Sequence, residues 1–186
     1  VQTVRAGSLQ VLAVGNNAIS ATAVGASAGW GAVGASLARA NLTGAMRAYL
    51  GDNAVVRNTG ALTVSASWKP TATATATAGA AGIYSGSGAD AGVRIAPVIE
   101  AYIGNSASIR VSGDIMVSAE VTPSGTADAT GVTVAAGLGV GASIASATVS
   151  PVTNAYIGTG GEIICGFYAL TGNPVVTFSS DSVFSG

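Results

Sequence analysis

A chain that repeats itself about every 53 residues must bury each unit against the next, and this constraint precedes every other. The word Ala-Tyr-Ile/Leu-Gly begins at Ala48, Ala101 and Ala155, at intervals of 53 and 54 residues. A second word, Gly-x-Leu/Ile-x-Val-x-Ala, begins at Gly7, Gly60 and Gly113, 53 residues apart each time. Such self-similarity is the signature of repeat architectures, in which stacking supplies the core that one unit lacks.

A finer beat runs inside the long one. Pro70, Pro97, Pro123 and Pro151 stand 27, 26 and 28 residues apart. Proline suits strand ends and corners rather than central strands, so this spacing predicts one corner per coil of ~27 residues. The 53-residue repeat then reads as two alternating coils. One is Ala/Thr/Gly-rich (18–43, 71–97, 124–151), and the other carries the Tyr word (44–70, 98–123 and, weakly, 152–176). The expected fold is all-β: a β-solenoid of about seven coils, roughly 34 Å long at about 4.8 Å per stacked strand. The array spans 1–165, and 166–186 forms a degenerate last repeat, a cap or a junction.

Within the units the period is 2, which argues strand over helix. Thr71 to Ala78 alternates Thr and Ala without a break. A shift of 53 aligns Ala21, Ala74 and Ala127, and likewise Ala23, Ala76 and Ala129. Alanine is expected inward and hydroxyl outward, which fixes the register of a half-buried sheet. Leu9/Leu62/Ile115 and Val11/Val64/Val117 form columns of larger inward residues, with Tyr49/Tyr102/Tyr156 as a third. With an intervening coil between them, like residues would lie two strand spacings apart, roughly 9.6 Å.

Composition narrows the chemistry. Hydrophobic residues make up 49% but aromatics 5%, so the core is built from small side chains. Charged residues are 8% of the chain, net charge is −1, Lys69 is the single lysine, and there is no histidine. No basic patch suits nucleic acid or an anionic membrane, and the commonest general base and metal ligand is missing. Cys165 is the one cysteine, which excludes an intrachain disulfide or a Cys-based zinc site. No apolar run is long enough for a membrane-spanning helix. With no signal-peptide pattern ahead of the first repeat word, the chain reads as a piece of something longer.

Several motifs carry a functional and a structural reading side by side. Gly29-Trp30-Gly31-Ala32-Val33-Gly34 matches G-x-G-x-x-G, with Asp52 downstream, but its repeat counterpart around Gly137–Gly141 opens a strand. A dinucleotide fingerprint must open a helix, so these glycines are assigned to a strand reversal. Outward Thr71, Thr73, Thr75 and Thr77 invite an ice-binding array, yet their equivalents include Ser, Val and Asp, which favours a solvated face. The acids Asp52, Asp90, Glu100, Asp114, Glu120, Asp128, Glu162 and Asp181 are scattered. Glu100 and Glu120 are the one pair placed to approach across a coil, but no partner base accompanies them. Asn41-Leu42-Thr43 is a lone glycosylation sequon, and Cys165 reads as a buried inert thiol. Trp30 and Trp68 lack counterparts in other repeats, which marks each as a contact-surface or loop-packing residue. No catalytic, cofactor-binding or metal-ligating residue is assigned.

Taken together, the Gly-x-Ile-x-Val-x-Ala word, the Gly139-Val-Gly-Ala-Ser strand and Pro151-Val-x-x-Ala-Tyr-Ile-Gly resemble the repeats of giant bacterial surface proteins. These are the filamentous-haemagglutinin-like and leukotoxin-type filamentous adhesins. The resemblance covers about residues 5 to 165 and implies an exported, rod-like protein, extracellular or carried on the cell surface; separately, no cofactor is expected. Three readings follow: a stalk or adhesin segment touching host or neighbouring cells, a fibre subunit stacking on copies of itself or on flanking repeats, and a carbohydrate-active solenoid enzyme. The first is expected, with no enzymatic activity, nucleic-acid partner or membrane insertion.

Overall fold

The computed structural model describes residues 3–4, 7–165 and 176–182, and every regular element among them is a β-strand. In chain order these are β1 (Thr3–Val4), β2 (Leu9–Leu50), β3 (Val55–Thr59), β4 (Leu62–Ile103) and β5 (Ser108–Val111). There follow β6 (Ile115–Val121), β7 (Ser124–Val149), β8 (Val152–Ile157), β9 (Glu162–Ile164) and β10 (Val176–Ser182). All pairings are parallel. The all-β expectation holds.

The ladder runs one whole repeat at a time. Strand β2 pairs with β4 from Leu9↔Leu62 to Leu50↔Ile103, and the other edge of β4 pairs with β6, β7 and β8. A smaller sheet, ordered β1-β3-β5-β9, stacks the short strands in the same sequence of repeats. One irregularity, between Gly82 and Tyr84, gives the third repeat an extra residue. That bulge is why the Tyr word steps by 53 and then by 54.

Each long strand folds back on itself near its middle. A methyl group on Gly25 would overlap the Ala35 backbone, and one on Gly15 would overlap Met46, so the two arms of β2 lie face to face. In β4 the buried residues are even-numbered from Leu62 to Ala80 and, Gly92 apart, odd-numbered from Ser85 to Ile103. The phase switches across 81–84, where the chain turns and the inward face must change parity. Gly82 lets the backbones pass closely at this arch, because a methyl group there would overlap the Gly29 carbonyl. The G-x-G-x-x-G stretch is therefore a strand reversal, as its repeat counterpart implied.

Here the ~27-residue coil is corrected. Layers of the stack differ by a whole repeat, and the ~27-residue spacing separates the two arms within one layer. Pro70 and Pro97 lie inside β4, both buried, rather than at corners. In the third repeat Pro123 and Pro151 fall in the gaps between β6, β7 and β8. A proline costs its ladder one donor but leaves the strand's path intact. Equivalent residues are thus direct neighbours at one strand spacing, about 4.8 Å, not two.

The core is a set of small-residue columns between the arms. Ala74 and Ala76 are fully buried, while their neighbours Ala21, Ala23, Ala127 and Ala129 are half-buried beside them. Leu62, Val64, Ile115 and Val117 are fully buried in the expected columns. The inward alanine and outward threonine assignment holds along the first arm of β4, from Thr71 to Ala78. Trp68 is buried against the open spaces at Gly15 and Gly44, whereas Trp30 is exposed at the arch. Within the expected cap at 166–186, β10 pairs with β6, and residues 166–175 and 183–186 lie outside the described residues.

Candidate functional site

Outward side chains at the end of the second arm form the most organised polar and aromatic surface of the molecule. Tyr49, Tyr102 and Tyr156 occupy one column, and their rings stack with centroids 5.0 Å apart at both steps. Sequence reasoning placed them inward, but Tyr49 is 51% exposed and Tyr156 44%. The correction follows from the arch: parity changes there, so an alternation counted from the first arm cannot be carried across it. Burial between two rings raises the Tyr102 phenol pKa above its ordinary value, and the neighbouring phenols Tyr156 and Tyr49 add to the shift.

Beside the ring ladder lies a charge ladder. Arg47 Nε donates to a Glu100 carboxylate oxygen in the adjacent repeat. That hydrogen bond, followed by the charge of Glu100, raises the Arg47 pKa further. Arg39 pairs with Asp90 in the same way. On the smaller sheet, Arg110 reaches Glu162 at 3.1 Å. Each pair bridges neighbouring repeats, so the charges serve as cross-strand ties. All three involve exposed groups, and each tie is modest in strength.

The loops after the long strands repeat the same device. Asp52 Oδ1 accepts from the Asn105 N–H at 2.7 Å, and Asn105 Oδ1 accepts from the Thr159 N–H at 3.0 Å. Asn53, Ser106 and Gly160 all adopt positive φ, at 58°, 56° and 71°. Small polar residues or glycine tolerate that left-handed conformation, which turns the chain from the large sheet to the small one. This ladder was invisible as a motif because the three loops share geometry rather than letters.

The acids do not converge. Glu100 faces outward from the second arm and Glu120 outward from the first, so the layer of inward residues separates the pair that sequence reasoning set together. Asp128 sits in the outward threonine column beside Thr75. Among the described residues no group of three His, Cys, Asp or Glu is placed to hold a metal ion. No helix among them is long and apolar enough to cross a membrane. Asn41 is exposed on β2, and Cys165 packs half-buried against the core. The side chain of Asp181 lies outside the described residues.

A second surface stands out at the arch. Trp30, Val33, Tyr84, Leu138 and Val140 are each at least 65% exposed, and most of them border a shallow depression. No charged residue interrupts it. Comparison with family models, with curated proteins and with solved structures gave no match to this chain.

Proposed function

We propose that the chain is a structural β-solenoid segment of a secreted bacterial surface filament or adhesin, in which each 53-residue repeat forms one coil. The observation that carries this reading is the in-register pairing of β2 with β4 from Leu9↔Leu62 to Leu50↔Ile103, interrupted only at Trp30 and Ile83. Side chains are spent on holding repeats together: ring stacks, cross-repeat ion pairs and loop ladders all point to the neighbouring unit. A scaffold whose polar groups are committed to its own cohesion suits a non-catalytic role as stalk or fibre, with adhesion at its outer faces.

The geometry changes the expected proportions. A first arm such as residues 9–29 is about 70 Å long at 3.3 Å per residue. Each added repeat, by contrast, raises the stack by only about 4.8 Å. The fibre is therefore broad and slowly rising, a ribbon rather than a thin rod.

Three measurements test the reading. Electron microscopy of the purified chain should show plates of one fixed width, set by the arm; compact globules would contradict it. Antibodies raised against the chain should label intact cells of its source, and labelling only after permeabilisation would remove the surface assignment. Incubation with pectin or other polyuronates should release no reducing ends or unsaturated products. Release that disappears in Glu100→Gln would establish an enzyme instead.

A further inference from the structure

We infer that the depression around Arg94, on the outward face of the second arm, binds the carboxylate of an acidic sugar. The inference rests on the adhesive-segment reading and deepens it by naming the chemistry that the outer face would grip.

The charges of that face come first. Its cations are Arg39, Arg47 and Arg94, and its anions are Asp90 and Glu100. Two of the arginines are engaged, Arg39 by Asp90 and Arg47 by Glu100. Arg94 is exposed and has no ion-pair or hydrogen-bond partner among the described residues. One positive charge is therefore left over, and it lies in the middle repeat. Asp90, the nearest acid along β4, stands four residues away, about 13 Å at 3.3 Å per residue.

The neighbours supply shape and neutral hydrogen-bonding groups. Arg94 is flanked by Asn41 in one adjacent repeat and by Thr148 in the other. In the next outward row toward the arch, Gly92 is flanked by Arg39 and Ser146. With no side chain at Gly92, the surface dips into a depression of about 330 Å³ bordered by these residues. That volume lies within the range of small-ligand sites. The Arg39 side chain leans across Gly92, where an added Cβ would come within 3.1 Å of it, and its bond to Asp90 holds it there. The depression opens on an outward face and is centred on the middle repeat. Repeats stacked before or after it would border the site without covering it.

These groups select the ligand. A guanidinium binds a carboxylate through two parallel N–H···O bonds, in a planar fork that an ammonium lacks. Around the fork, Asn41, Ser146 and Thr148 offer an amide and two hydroxyls, and the charge of Arg39 is balanced by Asp90. A ligand that carries one carboxylate and several hydroxyls on a compact ring meets all of them, and a uronic acid has that composition. Nucleic acid would call for a row of unpaired cations, and this face offers one. An acidic peptide would fill the fork but leave the amide and hydroxyls to water.

Calorimetric titration of the full chain at low salt tests this with three probes: a uronate trisaccharide, its methyl ester and triglutamate. The uronate should bind, the ester about tenfold more weakly, and triglutamate more weakly than the uronate. Arg94→Gln should weaken uronate binding about tenfold, and Arg94→Lys, which keeps the charge but not the fork, by less. Thr148→Val should lower affinity for the uronate but not for triglutamate. Added salt should weaken uronate binding, because the guanidinium is exposed. Both Arg94 variants should keep the circular dichroism and melting temperature of the unmodified chain, since Arg94 holds nothing in place. Absence of uronate binding, equal binding of the ester, or binding undiminished in Arg94→Gln overturns the inference. Triglutamate bound as tightly as the uronate overturns the assignment to a sugar. Any of these results from a chain that still forms plates of fixed width refutes the site alone. Loss of the plates and of the β-sheet circular dichroism in the unmodified chain would refute the solenoid reading itself.

Discussion

Ala74 and Ala127 occupy the same column and carry the same side chain, yet the first is fully buried and the second half-exposed. The same contrast separates Leu62 from Leu9, and Gly104 from Gly51. At these positions the middle and outer repeats carry the same residue, so burial here is conferred by position in the stack. The stability of a repeat is then close to a sum of neighbour contributions, with the middle one holding two interfaces and each outer one a single complete one.

The largest test of that contrast removes a core side chain from each. Leu62→Ala should cost about 2–5 kcal/mol, as for a fully buried leucine, and Leu9→Ala clearly less. Equal shifts in denaturant midpoint would mean that the outer repeat is as well packed as the middle one. Next comes overpacking: Ala74→Leu should cost about 1–3 kcal/mol, whereas Ala127→Leu can expand toward the open edge and should cost less. Thr75→Val, on the outward face, should stay within about 0.5 kcal/mol.

A third pair sharpens the comparison at the loops. A methyl group on Gly104 would lie 2.6 Å from both the Asp52 N and its Oδ1, while one on Gly51 would meet nothing. Gly104→Ala should therefore lower the melting temperature measurably and Gly51→Ala should not. The smallest effect concerns the ladders. Arg47→Met should cost little and lose its effect in high salt, because the pair is exposed. Tyr102 also gives the contrast a pH signature. Its folded pKa lies above the ordinary value of 10.0. Its contribution is thus complete below that pH and is lost as pH rises through the folded pKa, since the unfolded chain releases the proton first. Tyr102→Phe should flatten the alkaline limb of a stability–pH curve.

Much of this arrangement can be read from the letters. The repeat words set the register, and strict Thr/Ala alternation set the facing of β4's first arm. The arch hid the rest. Pro70 and Pro97 recur at nearly half the repeat because they belong to facing arms of one layer, and spacing alone does not distinguish a fold-back from a second coil. The tyrosines were misplaced for a related reason: inward parity resets at 81–84, and the reset depends on how many residues the turn consumes. The loop ladder through Asp52 and Asn105 rests on backbone conformation shared by unlike residues. The ion pairs became visible only when the layer spacing was known to be one full repeat.

The bonds between repeats run along the stacking axis, and this gives the molecule an unusual mechanical character. A uniform pull on the two faces of the stack loads every ladder bond between β2 and β4 at once, so the resistance is that of a zip fastener pulled broadside. Tension carried by the chain itself enters each repeat at a single strand end. It opens the ladder bond by bond, as a peeling tape would. One fold can therefore be stiff toward a load spread across its face and yielding toward a load applied at its thread.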